Sequence, residues 1–213
     1  MYSVIFDMDG TLLDTQRICV PAWDYAGERQ GVSGMGRYIP SVCGMNAQGW
    51  GAFVLERHPH IDMERFNSDA RSYVLDNLTI RFKSGARETL EYLWDRKIKT
   101  AIASGSSHGS IEHHLREVGV YERFDAITGG GDVERGKPAP DIFLLAAERI
   151  GARPSECFVF EDSENGIRAA HAAGMRVVGI PDIVSFSDEV KGLLFRELSD
   201  MSEAIEMFDR IAE

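Results

Sequence analysis

The stretch that most constrains this chain is residues 4–11, where an apolar strand pattern runs into Asp7, Asp9 and Gly10. A buried strand that ends in two acids places them at the edge where open α/β sheets bind ligands. The turn at Gly10 lets both carboxylates converge on one point. Two close carboxylates repel each other unless a cation or a proton lies between them. The stretch therefore predicts a hard metal ion, an acid–base pair, or both.

Strand and helix patterns alternate from about Arg87 onward. The further segments with the composition of short buried strands are 100–103, 126–128, 157–160 and 177–180. Apolar residues recur at helical spacing between them, as in Leu90 and Leu93, and Gly151 and Gly174 follow two such patterns as helix stop signals. This alternation predicts βαβ units and an α/β fold with a doubly wound parallel sheet.

Residues 15–83 break the alternation, because they contain helical patterns and no strand candidate. We predict that they form a helical insertion with hinges near residues 14–15 and 83–85. Residues 1–14 and 84–213 then make up the α/β core. Asp14 or Thr15 fits the N-cap of the first insertion helix, since both residue types favour that position.

Composition excludes several kinds of partner. The 213 residues carry a net charge of −11, and we find no basic patch of the kind that binds nucleic acid. No apolar run reaches the length of a membrane span, and the opening residues lack the pattern of a secretion signal. Three widely spaced cysteines, Cys19, Cys43 and Cys157, indicate a reducing compartment. We expect a cytoplasmic protein, and a monomer by default.

Four polar motifs follow strand candidates in a fixed order: residues 7–11, 104–105, 136–141 and 161–163. The set resembles the haloacid dehalogenase-like hydrolase superfamily, and within it the β-phosphoglucomutase-like phosphatases that have a helical cap after the first motif. Residues 165–167 and 172–174 extend the resemblance, which covers the whole chain. It implies a Rossmann-like core, an inserted α-helical cap and a phosphatase activity.

The resemblance also implies Mg²⁺ as the cofactor. Asp7 and Asp162 are expected to bind the ion through their carboxylates and Asp9 through its backbone carbonyl, with Glu161 acting through a bridging water. A phosphate monoester is a dianion that repels an anionic nucleophile, and a magnesium ion between them lowers that barrier. Oxygen ligands and retained waters suit this ion.

The same resemblance assigns the catalytic roles. Asp7 is expected to be the nucleophile that forms an aspartyl-phosphate, and Asp9 to protonate the leaving alcohol and then deprotonate the attacking water. Ser104 and the backbone amide of Gly105 are expected to hold a phosphoryl oxygen. Lys137 is expected to neutralise both the phosphate and the Asp7 carboxylate as a point charge.

Two departures from the mutases of this branch favour hydrolysis over phosphomutase activity. Cys19 lies where those mutases have a cap histidine, and residues 43–48 lack the arginine that grips a second phosphate. The expected substrate is a small phosphorylated metabolite, with sugar phosphates among the candidates. The candidate substrate contacts in the cap are Trp23, Asn46, Gln48 and Trp50. Asn46 is also the candidate phosphate-binding residue of the cap. Each of the four equally fits a position in the cap core or in a surface loop.

Other classes of protein remain as alternatives. A receiver-like phosphoacceptor shares the sheet, the acids and the lysine, but such proteins are shorter and lack an inserted helical domain. Residues 105–109 fit the Gly-x-Ser-x-Gly pattern of serine hydrolases, for which Asp162 and His171 are in the required order. That alternative leaves Asp7 unexplained. Residues 131–137 have P-loop spacing, but Pro138 replaces the magnesium-binding hydroxyl residue.

For three further polar residues, the sequence favours a structural or solvent-exposed position over a functional role. His113 and His114 are adjacent, have no partner at metal-ligand spacing and are expected to be exposed on a helix. Asn165 is expected to be structural or solvated.

Overall fold

The computed structural model describes residues 2–183 and 185–212. The strands of its sheet are β1 (Ser3–Phe6), β2 (Thr100–Ala103), β3 (Ala126–Thr128), β4 (Cys157–Glu161), β5 (Arg176–Gly179) and β6 (Arg196–Glu197). They form one sheet in the order β3-β2-β1-β4-β5-β6, and every neighbouring pair is parallel. The predicted α/β fold is therefore confirmed.

The α-helices follow the strands in alternation beyond residue 85. In chain order they are α1 (Cys19–Glu28), α2 (Ile39–Val42), α3 (Ala47–Arg57), α4 (Met63–Asn77), α5 (Ala86–Asp95), α6 (His108–Glu117), α7 (Asp141–Arg149), α8 (Glu164–Ala172), α9 (Asp188–Lys191) and α10 (Ala204–Ala212). Within the described ranges, no helix is both long enough and apolar enough to cross a membrane.

Both faces of the sheet are covered, as expected for a doubly wound fold. On one face, Phe6 and Phe160 pack beneath α5, α6 and α10, with Leu90 and Phe208 fully buried between the layers. On the other face, Ile5 and its neighbours pack beneath α7 and α8. Because every residue of β1 is buried and lies between β2 and β4, the strand fixes the centre of the sheet.

The strand predictions were accurate to within one residue at each end. The fourth strand extends to Glu161, and the fifth is shifted by one residue toward the N-terminus. Strand β6 was not predicted, because its two residues, Arg196 and Glu197, are both exposed at the edge and carry no apolar pattern.

The chain between β1 and α5 forms helices α1–α4 and packs its own apolar cluster. The buried members of that cluster are Trp23, Ala26, Met35, Ile39, Val42, Val54, Ile61 and Phe66. These helices lie within residues 15–83, the range predicted for the insertion, which we call the helical insertion from here on. The division into two domains stays a prediction.

The two segments that lead into and out of the helical insertion run side by side. The backbone amide of Asp14 donates to the carbonyl of Arg81 at 2.9 Å, and that of Lys83 donates to Leu12 at the same distance. Leu13 and Phe82 form an isolated antiparallel bridge between these two bonds. The helical insertion is therefore joined to the sheet through one short paired ribbon.

Candidate active site

The sheet topology brings three of the polar motifs to one edge. Asp7 follows β1, Ser104 follows β2, and Asp162 follows β4, so that all three lie at the carboxyl ends of adjacent parallel strands. The amide of Asp7 donates to the carbonyl of Phe160 at 3.0 Å, which extends the strand pairing up to the site. Asp7, Ser104 and Asp162 are all buried.

Lys137 reaches the same edge from the loop that precedes α7. Its Nζ donates to Oδ1 of Asp7 at 2.6 Å and to Oε1 of Glu161 at 2.5 Å. Burial alone would lower the pKa of Lys137, but the charges of Asp7 and Glu161 overcome that effect and raise the pKa above its ordinary value. Lys137 is therefore a permanent buried cation at the site.

The carboxylates outnumber this cation. The pKa of Asp7 is raised to about 8, first by burial and also by the charge of Glu161, against the opposing charge of Lys137. Burial and the charges of Glu161 and Asp7 raise the pKa of Asp162 as well, while the Thr11 hydroxyl donates to its Oδ1 at 2.8 Å. With only one ammonium present, these raised pKa values favour the protonated forms of Asp7 and Asp162, and a bound cation would favour their carboxylate forms instead.

These residues fit a magnesium ion. Among the described residues, no group of three or more His, Cys, Asp and Glu side chains forms a ready-made metal cage. Magnesium does not require one, because it keeps several waters and takes one or two carboxylates from the protein. Asp7 and Asp162 would supply those carboxylates, and their hard oxygen donors do not suit a soft metal.

Asp9 is held by hydroxyl groups. Thr15 Oγ1 donates to its Oδ1 at 2.6 Å, Ser106 Oγ donates to Oδ2 at 2.7 Å, and Ser104 Oγ approaches Oδ2 at 3.3 Å. The side chain is 23% exposed, so the carboxylate can meet a substrate. The donors come from both the core and the entry to the helical insertion.

The predicted capping role of Asp14 or Thr15 is wrong. Helix α1 begins only at Cys19, its N-cap position is Ile18, and no side chain caps it. Thr15 instead turns back toward the sheet and bonds Asp9, because the chain between β1 and α1 stays close to the site.

Gln16 is a site residue that the sequence did not reveal. Its Nε2 donates to the backbone oxygen of Asp9 at 2.7 Å, the atom assigned by resemblance to the metal. Its Oε1 accepts from the Cys43 thiol at 3.1 Å. A carbonyl oxygen has two lone pairs, so one of them is available beside this bond. Nothing in the local pattern marks Gln16, since the contact depends on the path of the chain after the first motif.

Glu161 has direct protein partners for both of its oxygens. Oε1 accepts from Lys137, and Oε2 accepts from the amide and the hydroxyl of Ser163, each at 2.9 Å. A Cβ on Gly166 would lie 1.7 Å from Oε1, so glycine is required where α8 passes the carboxylate. The structure thus gives Glu161 a bracing contact with Lys137, and its water-mediated metal contact stays a prediction.

The loop before α3 lies over the core motifs. A Cβ on Gly105 would lie 2.8 Å from the carbonyl oxygen of Met45, and one on Gly136 would lie 2.6 Å from Cγ of Asn46. Asn165 in α8 donates from Nδ2 to the carbonyl of Cys43 at 3.0 Å, so the structural interpretation of Asn165 agrees with its position. The helical insertion therefore sits directly above the site.

The four candidate cap contacts occupy different places. Asn46 caps α3, where its Oδ1 accepts from the amide of Gly49 at 3.0 Å, and it lies against the loop of Lys137. Trp23 is buried in the insertion and packs 5.4 Å from Trp50 between ring centres. Gln48 is exposed on α3. Asn46 is thus the candidate that the structure brings nearest to the core motifs.

The prediction that both adjacent histidines are exposed is wrong for His114. His113 is exposed, but the His114 side chain is only 16% exposed, and its Nδ1 lies 3.8 Å from Oδ1 of Asp9. Burial lowers the pKa of His114, and the nearby Asp9 charge partly offsets this. The sequence pattern of α6 could not show this, because the residue faces a loop that is distant in the chain.

The serine hydrolase arrangement does not assemble. Ser107 caps α6, where its hydroxyl accepts from the amide of Ser110, while His171 is exposed in α8 and Asp162 is buried at the sheet edge. The nucleophile, base and acid of that alternative are thus held in separate local roles.

Another buried acid lies beside the paired ribbon of the insertion, away from the sheet-edge acids. The Asp182 side chain is fully buried, and its Oδ1 accepts from Lys83 Nζ at 2.6 Å and from Arg17 at 3.0 Å. The three side chains line a cleft of about 430 Å³. Because Arg17 and Lys83 belong to the two segments that join the insertion to the core, Asp182 ties both to the loop after β5.

A parallel sheet with buried acids at its carboxyl edge and a helical insertion after the first strand defines a Rossmann-like α/β protein with a capped site. The chain belongs to the haloacid dehalogenase-like hydrolase family, whose sequence profile matches residues 3–174.

Named relatives agree with this membership. The chain is 34% identical over 191 residues to the fructose-1-phosphate phosphatase YqaB of Escherichia coli, covering 84% of this chain and 95% of that protein. It is 33% identical over 190 residues to a probable pseudouridine-5'-phosphatase of Drosophila melanogaster, covering 84% and 80% of the two chains.

Solved structures share the whole fold. The crystal structure of a hydrolase from Pseudomonas syringae is 28% identical, has a TM-score of 0.85 and covers all of both chains. A structure named as a β-phosphoglucomutase, from Clostridium difficile, also has this fold, with a TM-score of 0.81.

Proposed function

We propose that this protein is a Mg²⁺-dependent phosphatase that hydrolyses a small phosphorylated metabolite through an aspartyl-phosphate on Asp7. The observation that carries the proposal is the buried contact of Lys137 with Asp7 and Glu161, at a sheet edge where Asp162 is also buried. This arrangement provides a nucleophile, a fixed cation and further buried acids whose carboxylate forms a divalent ion would stabilise.

The carboxylates of Asp7 and Asp162 and the backbone oxygen of Asp9 would hold the ion. When bound, Mg²⁺ supplies a Lewis acid that offsets the repulsion between the nucleophile and the phosphate dianion. Lys137 adds a second positive charge on the side of Glu161, and Ser104 offers a hydroxyl to a phosphoryl oxygen, as does the amide of Gly105.

The first step transfers the phosphoryl group to the protein. A carboxylate oxygen of Asp7 bonds to phosphorus while the bond from phosphorus to the leaving oxygen breaks. The carboxylic acid of Asp9 donates its proton to that oxygen, which departs as an alcohol. The hydroxyl groups of Thr15 and Ser106 hold the Asp9 carboxyl group in place for this transfer.

The second step releases phosphate. Asp9, now a carboxylate, takes a proton from a water molecule whose oxygen bonds to phosphorus, and the bond between phosphorus and Asp7 breaks. The products are inorganic phosphate, free Asp7 and protonated Asp9, ready for another cycle. The helical insertion above the site keeps bulk water away from the intermediate.

The substrate class follows from the helical insertion and the relatives. The core motifs grip only a phosphate group, so the rest of the substrate meets the insertion loop around Asn46. Relatives are named for fructose 1-phosphate and pseudouridine 5'-phosphate, which are both small phosphorylated sugars or nucleosides. A sugar phosphate is the substrate that we favour.

A panel of phosphorylated sugars, nucleotides and p-nitrophenyl phosphate tests the proposal. We expect phosphate release that requires Mg²⁺, is abolished by EDTA and is lost in Asp7→Asn. The matched control Asp76→Asn changes an exposed acid of α4 and should leave the rate unchanged. A phosphatase rate close to that of the unaltered protein in Asp7→Asn would disprove the nucleophile assignment.

The phosphomutase alternative predicts a different product. Fold similarity to β-phosphoglucomutases favours it, whereas Cys19 and the arginine-free loop 43–48 favour hydrolysis. Isomerisation of glucose 1-phosphate at the rate of its hydrolysis would support the mutase. A receiver-like phosphoacceptor would instead accumulate a stable phosphoprotein without turnover.

We also propose that the protein works as a cytoplasmic monomer with no nucleic-acid or membrane partner. The support is its net charge of −11 and its cysteines, which within the described residues are all free thiols. Size-exclusion chromatography with light scattering tests the oligomeric state.

A further inference from the structure

His114 is a buried polar group that the proposed reaction does not yet use. It lies in α6, where its side chain is 16% exposed, and within the described residues its Nδ1 is buried with no hydrogen-bond partner. A buried nitrogen without a partner costs free energy, so the native fold tolerates it only where something else compensates.

The group nearest to this nitrogen is the proposed acid–base residue. Nδ1 lies 3.8 Å from Oδ1 of Asp9, just beyond hydrogen-bond length, and the same oxygen already accepts from Thr15 at 2.6 Å. The other oxygen, Oδ2, accepts from Ser106. A small turn of the Asp9 carboxyl group toward a leaving oxygen would therefore change the distance between its oxygens and Nδ1 of His114.

We propose that His114 is a positioning residue for Asp9, donating from Nδ1 to the Asp9 carboxyl group when that group turns to protonate the leaving oxygen. The inference rests on the proposed phosphatase activity and adds a residue to its proton transfer. The proton itself moves from Asp9 to the leaving oxygen, and the imidazole keeps its own. Its contribution is the orientation of the donor, to which proton transfer is sensitive.

Leaving groups of different basicity separate this role from a structural one. An alkyl phosphate releases an alkoxide that needs the proton from Asp9, whereas p-nitrophenyl phosphate releases a phenolate that is stable without it. We expect His114→Ala to lower kcat/KM for the best alkyl phosphate of the panel by about tenfold, mainly through kcat. The value for p-nitrophenyl phosphate should stay within about twofold.

Two further variants complete the test. His114→Asn places an amide NH₂ near the position of Nδ1 and should recover most of the alkyl phosphate rate. His113→Ala changes the adjacent exposed histidine and should leave kcat/KM unchanged for both substrates. Thermal unfolding of each variant shows that it is folded.

The outcomes distinguish the two proposals. An equal loss on both substrates, or no loss on either, overturns the role of His114 while leaving the phosphatase in place. If the unaltered protein hydrolyses neither substrate with Mg²⁺, the proposed function fails, and the role of His114 fails with it.

Discussion

Two buried acidic groups in this protein have opposite charge balances. At the sheet edge, the ammonium of Lys137 pairs with Asp7 and Glu161, and Asp162 is a third buried acid there. At the paired ribbon of the insertion, the single carboxylate of Asp182 meets two cations, Arg17 and Lys83. The ratio of acidic to basic groups therefore differs between the two places. A buried cluster with more acids than cations fits the binding of a further cation, whereas a buried acid with two basic partners fits a structural ion pair between segments of the chain.

Lys137→Met should produce the largest effect. The variant leaves Asp7 and Glu161 buried without their shared cation, and breaking such a buried pair costs about 3–5 kcal/mol. We expect that loss in the free energy of unfolding, measured by urea denaturation in EDTA, together with a fall of at least about a hundredfold in kcat/KM.

Lys191→Met is the matched control for that measurement, because Lys191 makes an exposed ion pair with Glu197. It should change neither stability nor rate measurably. If Lys137→Met were as stable as this control, the sheet-edge cluster would not depend on its cation, and the comparison would be wrong.

Stability against pH tests the excess of acids directly. The pKa of Asp7 is raised from 3.8 to about 8, so across that window the folded state binds more protons than the unfolded state. The stability of the metal-free protein should therefore fall as the pH rises from about 4 to about 8.

Added Mg²⁺ should reverse this trend, because the ion competes with protons for the same carboxylates. We expect the rise in Tm on adding Mg²⁺ to be larger at about pH 8 than at about pH 5.5. Asp7→Asn should reduce the difference between the two values. An equal rise at both pH values would contradict the proposed ligand set.

Asp182→Asn should have the smallest effect. The amide keeps the shape of the side chain and an oxygen for Lys83 or Arg17, but it removes the charge. We expect a loss of about 1 kcal/mol in the free energy of unfolding and a rate within about twofold of the unaltered protein. Asp188→Asn, at an exposed position in α9, is the control. A large loss of activity at normal stability would contradict the structural role of Asp182 and indicate that it takes part in the reaction.

The sequence predicted the sheet well because its strands are short, buried and apolar. Ser3–Phe6 and Cys157–Glu161 are buried at every position, and such runs between helical patterns leave few other interpretations. The exposed strand Arg196–Glu197 has no such pattern and was missed.

The site was predictable where residues follow strands directly, as Asp7, Ser104 and Asp162 do. Topology alone brings those positions together. Gln16 and His114 were missed because their side chains reach the site from a connecting segment and from a helix face. Local patterns carry no information about which distant loop a side chain will meet.

The antiparallel pairing of Leu13 with Phe82 has an evolutionary consequence. Since the helical insertion leaves and rejoins the core at neighbouring points, its helices can change in length or sequence without changing the position of the central strand in the sheet. Different helices can then be carried by the same sheet, while Asp7 stays at the end of the central strand. A chimaera that replaces only residues 19–77, which include α1 to α4, keeps the contacts of Thr15 and Gln16 with Asp9 and would exploit that separation.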